Sequence, residues 1–189
     1  KPQTVEKFSE SPYEFLDKNY NTYDSIYDIE GTILLIQNKS AIDEFSENEL
    51  FYFASHRNAI FYSNSNFSEK FADSLGFEIE YSNDFADSLQ FKINQNQKAG
   101  NFYFNKGINT AYFSKIDSSK TEVLGTQINS KGEEFANFIK VKHLNGNFYL
   151  HLQPVAFTNY YLLNKNSQYT EDILGYIPSK SPIYWKVKQ

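Results

Sequence analysis

The stretch Thr32-Ile33-Leu34-Leu35-Ile36-Gln37, bounded by Gly31 and Asn38, decides the fold class. Its apolar run has no polar alternation, so it reads as a strand buried on both faces, the environment of a parallel sheet covered by helices. Ala59-Ile60-Phe61-Tyr62 repeats the pattern and ends in the polar run Ser63-Asn64-Ser65-Asn66. Between the two, Ser46-Glu47-Asn48-Glu49 has capping-box spacing and predicts a helix to about Ser55. Upstream, a short strand over 4–9 precedes a second box, Ser11-Pro12-Tyr13-Glu14, with Pro at the first helical position; this helix should run to about Tyr20. Downstream, Ser68 caps a third helix that stops at Gly76. Strand, helix, strand, helix at this spacing means parallel strands joined by crossover helices.

From Phe77 the pattern changes to short alternating strands at 77–81, 89–93, 102–104, 110–115 and 122–128, which read as an antiparallel extension. The clearest hairpin pairs 138–144 with 147–152 about Asn145-Gly146, the preferred pair for a type I′ turn. A loop over 155–159, a helix over 160–164 and a helix over 170–177 stopped by Pro178 follow. The last residues read as a tail anchored by Trp185. The expectation is one α/β domain over 1–189 in three layers, its mixed sheet parallel in the first half and antiparallel beyond, with 1–10 and 179–189 peripheral.

Composition excludes several chemistries. There is no Cys, so there is no disulfide framework, no thiolate nucleophile and no Cys-ligated zinc. Net charge is −5 and Arg57 is the only arginine; a nucleic-acid binder shows a basic stripe, so no nucleic-acid partner is expected. No apolar run reaches the roughly 18–20 residues of a membrane span. The chain contains no Met, which leads to the expectation of a processed or truncated piece of a longer protein, with any membrane contact made through an N-terminal anchor outside it. The 18 Phe and 15 Tyr suit core filling and half-buried strand positions respectively.

Three histidines are present: His56, His143 and His151. With Asn145-Gly146 as a two-residue turn, Leu144 faces Asn147, His143 faces Phe148, and Lys140 faces His151. Side chains alternate, so His143 shares a face with Val141 and Leu150, while His151 shares the other with Lys140 and Tyr149. The two cannot chelate one ion, and no metal or cofactor is expected. Gly-x-Ser-x-Gly is absent, as is any Gly-rich phosphate loop. Ser63 and Ser65 occupy the strand end where a nucleophile would sit, but the flanking residues make them capping and turn serines. The carboxylate pairs Glu133-Glu134 and Asp84/Asp87 read as solvated loops.

One positive pointer concerns the carboxyl ends of the parallel strands, where open α/β sheets bind ligands. Those ends carry Asn38, then Ser63, Asn64, Ser65 and Asn66, then Gln153, Thr158 and Asn159. The candidate ligand-binding set is therefore Ser63, Asn64, Asn66, Gln153, Thr158 and Asn159: an amide-rich rim able to hydrogen-bond a polar ligand or a partner's backbone.

Two segments resemble a bacterial domain-of-unknown-function family, number 4350. Residues 49–67, ELFYFASHRNAIFYSNSNF, are similar to its helix followed by G-N-x-V/I-F-I-S-x-N. Residues 138–163, FIKVKHLNGNFYLHLQPVAFTNYYLL, are similar to its closing strand-turn-strand and P-x-x-hydrophobic-T-N-x-x-L. The likeness spans about 11–178. It implies a membrane-anchored protein whose domain is similar to the class I glutamine-amidotransferase fold without that fold's Cys-His-Glu machinery, facing the periplasm or the cytoplasm. The chain departs from the pattern in lacking a Pro-Tyr-Gly-Thr helix segment and in carrying Leu144 where the hairpin's first Gly stands.

The expected function is thus a non-catalytic binding or scaffolding domain that contacts a protein partner or a polar small ligand. The alternatives are a degenerate serine hydrolase using Ser63 or Ser65, and a carbohydrate-binding module whose exposed Tyr stack on sugars.

Overall fold

The computed structural model describes residues 3–38, 41–82, 88–94, 101–163 and 167–187. Asp84 and Asp87 lie outside them. In chain order the elements are β1 Val5–Phe8, α1 Pro12–Lys18, β2 Tyr20–Asn21, β3 Ile26–Tyr27, β4 Thr32–Ile36, α2 Glu44–Ser55, β5 Ala59–Ser63 and α3 Glu69–Leu75. There follow β6 Phe77–Tyr81, β7 Leu89–Ile93, β8 Asn101–Phe104, β9 Ala111–Ile116, β10 Thr121–Ile128, β11 Glu134–His143 and β12 Gly146–His151. A 3-10 turn Pro154–Phe157, α4 Asn159–Leu162, α5 Ser167–Leu174 and β13 Ile183–Lys186 complete the chain.

A mixed sheet runs β1-β13-β4-β5-β12-β11-β10-β7-β8, with β6 and β9 attached beside β11. Its parallel part comprises β1, β13, β4, β5 and β12; the remainder is antiparallel. Every residue from Thr32 to Leu35 and from Ala59 to Ser63 is buried, as unbroken apolar runs require. Ile33, Leu35, Ile60, Tyr62, Val141 and Leu150 face a core closed by Phe15 and Leu16 of α1, Leu50 and Phe53 of α2, and Phe71 of α3. Leu34, Phe61, Phe138 and Tyr149 face a second core closed by Phe91, Phe104, Tyr161, Tyr169 and Ile173. Helices therefore cover both faces of the sheet.

Local signals place most boundaries. Ser11 caps α1 with the full capping box. Ser68 caps α3, and Gly76 ends it in the left-handed conformation at φ 74°. Elsewhere the sequence expectation shifts. Helix α2 begins before the predicted box, because Asp43 accepts from the Ser46 amide and draws Ser46 into the first turn. Glu134 opens β11 rather than lying in a loop. Residues 154–157 form the 3-10 turn, and α5 ends at Leu174, short of Pro178. The hairpin turn is Leu144-Asn145, with His143 opposite Gly146. Gly146 is needed for a different reason: a Cβ there would lie 2.1 Å from the Ala54 carbonyl oxygen and 2.2 Å from that of Asn58. The register moves by two residues, an even number, so every side chain keeps its predicted face.

The largest departure is at the end of the chain. The expected peripheral tail is β13, inserted between β1 and β4 as a parallel strand. Ile183 donates its amide to Thr4, and Val187 donates to Phe8, so both chain ends are built into the sheet.

Candidate functional site

Strands β5 and β12 pair in register with Ser63 beside His151. In-register neighbours on parallel strands share a face, and the Ser63 Oγ lies 2.8 Å from His151 Nδ1. On the far side of the ring, Nε2 lies 3.0 Å from the Tyr169 hydroxyl, delivered by α5. Ser63–His151–Tyr169 thus has the connectivity of nucleophile, base and orienting group. It sits at the carboxyl ends of two parallel strands, where the sequence placed its candidate nucleophile.

Burial decides what this chain can do. Ser63, His151 and Tyr169 are each 0% exposed. Desolvation holds the His151 pKa at about 3 and pushes the Tyr169 phenol up. An imidazole that low is neutral and a poor proton acceptor at neutral pH, whereas a serine's general base works best near 7. The rings of Phe138 and Phe157 meet His151 edge-on at 5.7 Å, closing the remaining approaches with carbon. Asn137, also fully buried, has no well-formed hydrogen bond to either amide atom among the described residues. Ser65 is half-buried, and its carbonyl accepts from the Tyr81 hydroxyl.

The expected amide rim divides in two. Asn64 and Gln153 are as buried as Ser63. Asn64 donates from its backbone to the His151 carbonyl and from Nδ2 to the Tyr62 hydroxyl. Gln153 exchanges bonds with the Asn109 backbone at 2.7 and 3.3 Å and donates to Gln127 Oε1 at 3.4 Å. These amides stitch β12 to the segment entering β9, which takes the flank of β11 beyond the end of β12. Asn66, Thr158 and Asn159 are exposed. Thr158 Oγ1 is spent on the Val155 carbonyl at 2.7 Å. A continuous polar rim is therefore not formed: its inner half is core and its outer half is surface.

His143 packs against Phe51 and Phe148, on the face opposite His151. Among the described residues no three His, Cys, Asp or Glu side chains gather as a metal-ligand set. Among them too, no helix is long and apolar enough to cross a membrane.

The open concavity lies at the other end of the parallel strands. A cavity of about 640 Å³ is formed where the turns preceding β4, β5 and β12 converge. Arg57 and Leu144, two of its lining residues, adopt left-handed backbone at φ 67° and 50°. The buried Asn58 fastens these turns, accepting from Gly31 N at 2.7 Å and donating to Phe53 O at 3.0 Å. Asn145 donates to Ser55 O at 3.1 Å. Glu30 and His56 complete the polar lining, and Ile26 and Leu144 expose apolar surface. Among the described residues the Arg57 guanidinium makes no ion pair or hydrogen bond. Sequence reasoning singled out Arg57 only as the sole arginine. It missed Tyr169 because nothing local to α5 signals a contact with a strand 18 residues away.

No known protein family and no curated protein matches the chain. Among solved structures, an exo-β-1,4-mannosidase from an Opitutaceae bacterium is 12% identical over 77% of this chain and 25% of its own, with a TM-score of 0.53. The carbohydrate deacetylase Agd3 is 9% identical over 80% of this chain and 29% of its own, at 0.51. A ThuA-like protein from Bacteroides uniformis is 10% identical over 95% and 94%, at 0.48. The chain spans about a quarter of the length of the first two. What it shares with them is a mixed α/β fold.

Proposed function

We propose that the chain is a non-catalytic binding domain that engages a protein partner or a polar small ligand through the open face around Arg57. The observation that carries this reading is the sealed state of the Ser63–His151 pair at the strand ends: both residues are 0% exposed and bonded within the fold. Arg57, by contrast, lines a preorganised cavity without a direct ion pair among the described residues. Left-handed backbone favours Gly, so a large cationic residue there carries a conformational cost. A class I glutamine-amidotransferase-like arrangement, and a tether that holds the domain at a membrane, belong to the same reading. Both come from the resemblance to the domain-of-unknown-function family.

The test has two arms. A fluorophosphonate probe should label wild-type protein no more than Ser63→Ala. Immobilised wild-type domain should retain a partner from the membrane fraction that Arg57→Gly does not. Labelling at Ser63, or identical retention by both proteins, would overturn the proposal. The second reading, a degenerate serine hydrolase, is favoured by the 2.8 Å Ser63–His151 contact and requires α5 to withdraw Tyr169. Ser63 labelling is its signature.

A further inference from the structure

A second concavity, of about 340 Å³, lies between α1, β2 and α2 and is lined by Tyr13, Asp17, Tyr20, Glu49 and Tyr52. Three phenol rings and two carboxylates line it, and no cationic side chain does. The helices supply this chemistry by spacing: Tyr13 and Asp17 are one turn apart on α1, and Glu49 and Tyr52 three residues apart on α2, so each pair shares a face.

The walls are held in place from behind. The Tyr20 and Tyr52 rings meet at 6.1 Å and 62°, forming a corner. Tyr27 packs edge-on against both, at 5.4 and 5.7 Å. The Tyr52 hydroxyl donates to Ser25 O at 2.8 Å, and the Tyr27 hydroxyl donates to Glu49 Oε2. Glu49 is thereby half-buried and oriented, with no cationic side chain paired to it among the described residues. Asp17 is exposed and unpaired among the described residues, its neighbour Lys18 being committed to Glu10.

Aromatic faces and carboxylates are both negative, so the pocket's complement is a cation. A bare divalent ion is a poor match, because it demands a close shell of about six oxygens and gains nothing from ring faces. A diffuse charge inside an apolar shell uses rings and carboxylates together. We propose that this pocket binds an alkylated ammonium ion of choline size, Tyr20 and Tyr52 giving two ring walls and Glu49 and Asp17 the counter-charge. The cation is either a free quaternary amine or the headgroup of a choline lipid.

The experiment titrates the purified protein with choline and with its uncharged carbon isostere, 3,3-dimethylbutan-1-ol, reading tyrosine fluorescence and melting temperature. Choline should saturate both signals and the isostere should move neither. Tyr52→Leu should weaken choline about 10-fold. Asp17→Asn, on an exposed position that leaves the fold intact, should weaken it about 3-fold. Phosphatidylcholine vesicles supply the last arm. Sedimentation with vesicles, reversed by free choline, assigns the headgroup as the source; saturation by choline without sedimentation assigns the free amine. Equal responses to choline and the isostere, or none to choline at tens of millimolar, would overturn the proposal.

Discussion

Acidification from pH 7 to pH 5 should remove about 2 kcal/mol of stability, with His151 the main cause. The imidazole is fully buried with both nitrogens bonded inside the fold, and its pKa is about 3 against an ordinary 6.5. In the unfolded chain the ring titrates near its ordinary value, so between these limits the unfolded state takes a proton that the folded state refuses. Stability from a base with a depressed folded pKa is fully present above the unfolded pKa. It falls by about 1.4 kcal/mol for each pH unit below it, until the folded pKa is reached. From pH 6.5 to pH 5 that amounts to about 2 kcal/mol. Carboxylates with depressed values, Asp43, Glu44 and Glu134 among them, lose their contribution only at lower pH. Glu47, raised by burial, opposes the trend, and His143, lowered by burial, adds to it. Urea unfolding at pH 7, 6 and 5 should therefore be run on wild type, His143→Gln and His151→Gln. The slope with pH, rather than absolute stability, is the quantity compared. It should survive in His143→Gln and flatten in His151→Gln. A flat wild-type profile would refute the reasoning, since it would mean that protons reach the imidazole in the folded protein and that the Ser63–His151 pair opens.

Three further outcomes follow from backbone and burial. Arg57→Gly should stabilise the fold by about 0.5–1 kcal/mol, because relief of left-handed strain outweighs the added freedom of the unfolded chain. Calorimetry should show a rise of about 2 °C, and a fall would show that the guanidinium serves the fold itself. Gly146→Ala should cost about 3 kcal/mol or more in urea unfolding, since its methyl would collide with the carbonyl oxygens of Ala54 in α2 and Asn58 in the turn before β5; a wild-type midpoint would refute the close approach of hairpin and helix. Asn137→Leu should raise stability by about 1 kcal/mol, by removing a buried amide without well-formed partners. A loss of that size in the same assay would show that the amide holds a partner, such as ordered water.

The parts of this fold legible in the sequence are those specified locally. Thr32–Ile36 and Ala59–Ser63 announce a covered parallel sheet because burial on both faces removes the polar alternation. Ser11, Ser68 and Gly76 mark helix ends because capping is chemistry within four residues. Gly146 misled the hairpin register because two demands select glycine: a positive φ and a near backbone. Here the near backbone is the operative one. β13 escaped because Ile183–Lys186 is short and follows a Pro-rich approach, and only its two partners, 150 or more residues away, make it a strand. The site divides in the same way. Ser63 is legible as a strand-end serine, and the opposite faces of His143 and His151 follow from alternation. The Ser63–His151 contact needs the β5–β12 pairing, which joins residues 88 positions apart and leaves no local trace.

The placement of β13 also sets a timetable for synthesis. β1 is made before every other described strand, yet its sheet partner among the described residues is the last of these strands to be made. Until Ile183–Lys186 arrives, β4 keeps an apolar strand with one bare edge, the kind of edge that recruits other chains. A chain interrupted before residue 183 would thus carry an adhesive flank on β4. Pairing with Ile183–Lys186 closes that flank.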